Sequence, residues 1–345
     1  MLTDMPLNNY LELRRTLYIG LLSLFILGGK FTLAQTVYPN KFTVSQDGSG
    51  DFKTIQEAIN AVRDLSQQQV YIHIKKGVYH EKVVVPTWKT NISLIGEGAD
   101  ETIITNDDYS GKQYIDTVDA FGKKSFSTYN SYTVLIQGND FTAEGITIQN
   151  TAGRVGQAVA LHVDADRVII KNCKLLGNQD TLYTATENSR QYYQHCYIEG
   201  TTDFIFGQAT AVFQDCTIKS LSNSYITAAS TTPKQVYGFV FLNCKLIAHP
   251  DANKVYLGRP WRPHAKTVFI NCFMDKHIVP QGWDNWRNPE NEKTVYYAEY
   301  GSTGPGSDAS QRVNWSKQLP QEQLKLYTLD KIFNNNGSWN PTINH

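Results

Sequence analysis

Five cysteines recur in one local frame, and that recurrence constrains the fold more than any other feature of the chain. The frames are RVIIKNCKLLG (167–177), YYQHCYIEG (192–200), AVFQDCTIKS (211–220), FVFLNCKLIA (239–248) and TVFINCFMDK (267–276). In each, a short apolar strand runs into a polar residue, the cysteine, a variable residue and an apolar one. Cys173, Cys196, Cys216, Cys244 and Cys272 stand 20–28 residues apart, and EGITIQN (144–150) repeats the frame with Ile146 in the cysteine's place. Self-similarity at such a period marks stacked supersecondary units. The strands are β-branched and aromatic, too short for helices, and separated by Asn and Gly turn signals. No helical stretch long enough for βαβ crossovers intervenes. The expected fold is therefore all-β, a parallel β-helix in which each repeat is one coil.

In that fold the cysteines stack inside as small apolar side chains and are expected to be free buried thiols. No CxxC or HxxxH spacing points to a metal. DFKTIQEAINAV (51–62) is the clear amphipathic helix, with Phe52, Ile55, Ala58, Ile59 and Val62 on one face. It is expected to cap an open end of the coil stack, where an exposed strand edge would pair with other chains. DGSGD (47–51) lacks the glycine and terminal glutamate of a calcium loop and reads as a turn.

Composition narrows the function classes. The chain has 345 residues, 41% hydrophobic, with 32 basic and 32 acidic side chains. A net charge of zero argues against a nucleic-acid partner, which calls for a basic excess. At the amino terminus Arg14-Arg15 precede LYIGLLSLFIL (17–27), too short to span a bilayer. Thr32-Leu33-Ala34 follows with the small residues of a cleavage site. Residues 1–34 read as a signal peptide and 35–345 as one exported catalytic domain, periplasmic or extracellular, with no membrane contact after cleavage and acting as a monomer.

The repeat also places two acids. Asp180 lies seven residues after Cys173 and Asp203 seven after Cys196. Coils that follow one path would put these carboxylates on adjacent rungs, about 4.8 Å apart. The same count from Cys216 reaches Asn223, where the acidic ladder would end. Two carboxylates that close have their pKa values driven apart, giving an acid and a base or nucleophile. Turn chemistry also places aspartates at such positions, and carboxyl groups about 5 Å apart suit a retaining glycosidase as well. Gln179 beside Asp180, and Gln157 one coil earlier, offer neutral donors to a developing oxyanion, which favours ester hydrolysis. Arg259 is suited to hold a carboxylate ionised through two parallel hydrogen bonds. Tyr183, Phe206, Trp261 and Trp283 interleave with these groups and are candidates to pack against sugar rings.

Four motifs in order, GQAVAL (156–161), GNQDTLY (177–183), GTTDFIFG (200–207) and YLGRPW (256–261), resemble the signatures of the pectin methylesterases, or pectinesterases. The resemblance runs from DGSGDFKTIQEAI to YYAEYGSTGPGS (296–307), and two of the motifs look more like the bacterial branch. YITAAS (225–230) departs from the plant pattern. The resemblance implies a right-handed, single-stranded parallel β-helix that removes methyl esters from galacturonate in homogalacturonan, without metal or organic cofactor. By motif it implies Asp203 as nucleophile, Asp180 as general acid/base, Gln157 and Gln179 as oxyanion donors, and Arg259 as the partner of Asp203. It likewise implies substrate contacts by Trp261, Tyr183, Phe206, Trp283 and, more loosely, Tyr129 in STYNS. A β-helix depolymerase (glycosidase or lyase) and a non-catalytic carbohydrate-binding β-helix are the competing classes.

Overall fold

The computed structural model describes residue 12 and residues 38–334 and 337–342. The chain divides into a unit Met1–Tyr38 and a unit Pro39–His345. The expected signal peptide lies, apart from Glu12, outside the described residues, and among those residues no helix is long and apolar enough to cross a membrane.

The second unit is a parallel β-helix built from three sheets of 11, 8 and 7 strands. One coil visits the three in turn, as Val168–Lys171, Lys174–Leu176 and Leu182–Thr184. The next repeats the path as Arg190–Gln194, Tyr197–Gly200 and Ile205–Gly207. Crossovers between parallel strands of one sheet are right-handed, which gives the coil its hand. Ile169, Tyr192, Val212, Val240 and Val268 pair in succession, at separations of 23, 20, 28 and 28 residues. Successive cysteines have the same separations, so the repeat seen in the sequence is the register of the first sheet.

The polar residue before each cysteine makes the corner. Asn172, His195, Asp215, Asn243 and Asn271 have φ of 54°, 51°, 55°, 54° and 53°, a left-handed conformation that short polar side chains tolerate best. The reversal turns each following cysteine inward. All five thiols are buried and free. Three of them donate to main-chain carbonyls one coil back, Cys196 to Ile170 at 3.3 Å, Cys216 to Tyr193 at 3.4 Å and Cys244 to Phe213 at 3.2 Å. Burial raises the thiol pKa values of Cys196, Cys216 and Cys244, which suppresses thiolate reactivity.

Beside the cysteines runs an aromatic ladder. Tyr193, Phe213, Phe241 and Phe269 stack with centroids 4.7, 4.5 and 4.4 Å apart and planes within 12°. The spacing is the rung spacing, so register alone brings the rings into contact.

The amphipathic helix is shorter than its pattern. It spans Ile55–Ala61 because Thr54 caps it, accepting from the Glu57 N–H in a capping box. Ile55, Ala58 and Ile59 enter the core, and the Ile55 and Gln56 N–H groups donate to Glu81 at 3.0 and 3.1 Å. One feature has no counterpart in the sequence reading. The carboxy-terminal segment covers the outer face of the first sheet, with Ile332, Phe333 and Trp339 against Ile169, Tyr192, Val212 and Val240. Arg190 fixes it by donating to the Phe333 and Gly337 carbonyls at 3.1 and 2.7 Å.

Phe241 touches a ring on each side, so its removal opens a cavity that neither neighbour can close. Phe241→Ala should cost about 3–5 kcal/mol in denaturant unfolding. A loss below about 1 kcal/mol would show that the ladder is not a significant source of stability.

Candidate active site

The third sheet carries the acids. Leu182 pairs with Ile205 and Tyr183 with Phe206, so Asp180 and Asp203, two residues before those strands, face each other across one rung. Their backbone N–H groups donate to Thr202 and Tyr225 carbonyls at 3.1 and 2.9 Å. Both residues are left-handed, at φ 67° and 50°, and their backbones thus repeat the corner device of the cysteine frames. Each is less than a tenth exposed.

The position beyond Asp203 differs from the sequence count. Ile205 pairs with Thr227, so the rung after Asp203 belongs to Tyr225 and not to Asn223. Two more residues separate cysteine and rung in this coil than in the preceding two. Asn223 instead accepts from the Asn253 and Lys254 N–H groups at 2.7 and 2.9 Å. The acidic ladder still ends at two.

Arg259 comes from the strand Tyr256–Pro260 and lies opposite Ala228, which lies opposite Phe206. The small side chain at 228 leaves the guanidinium room to reach back to Asp203. Its Nε and Nη2 donate to the two carboxylate oxygens at 3.0 and 2.7 Å. The Arg259 guanidinium carbon lies 4.0 Å from the ring centre of Tyr225 and 3.7 Å from that of Trp286.

The two carboxyls differ in environment. Burial first, then the Asp203 charge, pushes Asp180 up to about 8. Burial also raises Asp203, but the hydrogen bonds and charge of Arg259 oppose it. Asp203 is therefore not held below the ordinary carboxylate value, as a clamped ion would be at the surface. It remains the more acidic of the pair, and at neutral pH the single negative charge belongs on it.

Both acids line a cavity of about 320 Å³ with Gln157, Gln179 and Arg259. Gln157 and Gln179 oppose each other in a single parallel bridge, one residue ahead of Asp180's rung. Among the described residues neither carboxamide has a hydrogen-bond partner, so both are available to a ligand.

Of the expected aromatics Phe206, Trp261 and Tyr129 line the cavity, whereas Tyr183 packs against Phe206 without lining it. Tyr183 stacks on Phe206 at 4.5 Å, with His162 beneath it at 4.4 Å. Trp261 meets Phe206 edge-on at 5.8 Å, and Tyr129, mostly exposed, stands 5.9 Å from Tyr183. Trp283 does not join them. It bridges to Gly258 and points into the core, where it stacks on Tyr297 at 4.3 Å and donates to Glu299 at 3.2 Å. Trp286, three residues on, reaches the cavity in its place. Neither Trp286 nor Thr128, which lines the same cavity, falls among the residues that the motifs single out. The spacing of the two tryptophans in QGWDNW was the signal that one faces in and the other out.

The pectinesterase family model matches residues 41–336. The chain belongs to the pectinesterase family. It is 40% identical over 312 residues to Probable pectinesterase/pectinesterase inhibitor 64 of Arabidopsis thaliana, covering 83% of this chain and 50% of that protein. The chain thus spans about half the length of the first curated relatives it matches. Among solved structures, a pectin methylesterase from carrot superposes with a TM-score of 0.77 at 37% identity, covering 87% of this chain and 94% of that one. A mutant pectin methylesterase in complex with a hexasaccharide gives 0.75 at 32%, covering 90% and 100%. The Arabidopsis thaliana relative and a 40% identical Pectinesterase 3 of Solanum lycopersicum are plant proteins, so they do not single out the bacterial branch.

The raised pKa of Asp180 has a stability consequence. Between the ordinary value of 3.8 and about 8, the folded chain holds a proton that the unfolded chain has released. Linkage then makes stability fall as pH rises through that window. Asp180→Asn removes the titration, so the variant should melt above the wild type at pH 8, with the gap closing towards pH 4. Melting curves that stay parallel across this range would refute the assignment of the proton to Asp180.

Proposed function

We propose that this protein is a pectin methylesterase that hydrolyses galacturonate methyl esters of homogalacturonan to free carboxylates and methanol. The observation that carries the reading is the asymmetry of the aspartate pair. Two buried carboxyls share a cleft, one gripped by a bidentate arginine and the other held neutral to about pH 8. Two unpaired amides on the same cavity wall support acyl chemistry, since an ester needs donors for its oxyanion.

In this reading an Asp203 oxygen attacks the ester carbonyl carbon, and the amides of Gln157 and Gln179 bind the oxyanion. The tetrahedral adduct collapses with loss of methoxide, which takes the proton of Asp180 and leaves as methanol. Asp180, now a carboxylate, removes a proton from water, and the resulting hydroxide attacks the acyl carbon. The Asp203–acyl bond breaks and restores both aspartates to their starting protonation, and the galacturonic acid set free ionises to the carboxylate by losing its proton to solvent. Arg259 keeps the attacking carboxylate charged and oriented. Phe206, Tyr183, Trp261 and Tyr129 offer apolar faces to sugar rings, and Trp286 takes the position first expected for Trp283. An exported monomer, freed of residues 1–34, belongs to the same proposal.

Wild-type protein incubated with methyl-esterified pectin should release methanol without new reducing ends. A depolymerase would produce reducing ends or unsaturated products, and a binding module neither. Asp203→Ala should abolish methanol release while staying folded, and Gln179→Ala should lose about 10²–10³-fold in rate. The alkaline limb of kcat/KM should fall near pH 8, where the essential acid Asp180 ionises. Near-normal methanol release by Asp203→Ala would overturn the nucleophile.

A further inference from the structure

Arg259 pairs through two hydrogen bonds with Asp203 and through none with Asp180, so what fixes Arg259 bears on the division of roles. Its two polar contacts to Asp203 define the edge of the guanidinium plane but leave both faces free. Those faces are covered, one by Tyr225 at 4.0 Å and the other by Trp286 at 3.7 Å from the ring centres. Tyr225 occupies the rung between Asp203 and Tyr256 and is itself backed by the Tyr256 ring at 5.3 Å, with planes 24° apart. One jaw is therefore part of the sheet.

The other jaw is a loop built for the purpose. Trp286 and Arg287 both have positive φ, 59° and 57°, where bulky side chains are rarely found. Such strain persists only when surroundings enforce it, and here they do. The Asp284 N–H donates to the Gly258 carbonyl at 3.1 Å, tying the loop to Arg259's own strand. The Trp286 N–H donates to Asp284 at 2.7 Å, while Asn285 donates to Glu292 at 2.7 Å and Asn291 to the Asn285 carbonyl at 3.0 Å. Together these contacts turn the chain back and lay the indole on the guanidinium.

We propose that Trp286 is a positioning residue that acts through Arg259. With Tyr225 it locks the guanidinium in one plane and keeps water from its faces, so the fork stays on Asp203 through turnover. A cation held between two aromatic faces is stabilised electrostatically and loses its freedom to swing away. The proposal rests on the esterase reading above and adds to it a role beyond lining the cleft.

Trp286→Leu and Trp286→Phe, each alone and combined with Arg259→Lys, separate this role from direct substrate contact. Leucine preserves apolar bulk but has no π face, whereas phenylalanine keeps one. On methyl-esterified pectin, Trp286→Leu should lower kcat about tenfold, the kinetic equivalent of a desolvated cation–π contact, with little change in KM. Trp286→Phe should recover most of the loss. In the Arg259→Lys background the leucine substitution should cost nothing further. A rise in KM at unchanged kcat, equal losses for leucine and phenylalanine, or additive losses in the double variant would overturn the proposal. Thermal melting of the wild type, Trp286→Leu, Arg259→Lys and their double variant supplies a readout that does not need turnover. The leucine and lysine substitutions should be non-additive in Tm, and additive shifts would sink the clamp. If the wild type releases no methanol while the Tm coupling holds, the esterase reading fails and the clamp stands.

Discussion

The rest of the structure depends on parallel register. Once coils pair in parallel, a residue on one rung must lie over its counterpart on the next, about 4.8 Å away. Stacked side chains then have no choice but to be compatible at that distance. Thiols and flat rings meet the condition inside, where the Tyr193–Phe269 column stacks at 4.4–4.7 Å. Two carboxyls do not meet it unless one gives up its charge. The geometry that makes the core so regular therefore also brings Asp180 and Asp203 together in a buried place, where burial first and then the Asp203 charge push the Asp180 carboxyl up.

Register also explains what the sequence made legible. The cysteine separations reproduce the pairing offsets of the first sheet because the polar residue and cysteine together form the left-handed corner, which leaves no room for insertion. Counting seven onward works for Asp180 and Asp203 because both turns have equal length. It fails at Asn223 because the next turn is two residues longer, and turn length is set by side-chain contacts such as those of Asn223 with 253 and 254. Trp283 was misassigned for a related reason. Its surroundings in the sequence are polar, but a single bridge to Gly258 aims it into the core, and only the following loop carries Trp286 out. The carboxy-terminal cover of the first sheet was equally hidden. Tyr192 and Val240 face outward, and the carboxy-terminal residues that cover them, Ile332, Phe333 and Trp339, lie far downstream in the chain.

The aspartate pair shows how far a fold will go against its own stability. Asp180 makes no side-chain hydrogen bond among the described residues, and burial keeps its pKa near 8. Every unit of such a shift represents about 1.4 kcal/mol between its two protonation states. An asparagine would sit there more comfortably. The acid is tolerable because the coils around it are stabilised elsewhere, by the thiol and ring columns and by main-chain pairing on all three sheets.

The unequal surroundings of the two acids originate in coil length. Asp180 and Asp203 share backbone conformation, burial and rung geometry, so nothing in their own coils tells them apart. The difference arrives from the strand of Arg259, which follows the strand of Tyr225–Ala229 after a longer excursion. Phe206 and Ala228 are 22 residues apart along the third sheet, whereas Ala228 and Arg259 are 31 apart. The additional residues go into turns, and the next turn after Arg259 supplies Trp286. A minimal coil can place an acid on a rung, but it has no spare chain with which to build walls around it. Lengthening the coils on one side of the pair gives Asp203 a cation with both faces covered and leaves Asp180 without one. Symmetry is broken by loops, while the strands that carry the acids stay the same.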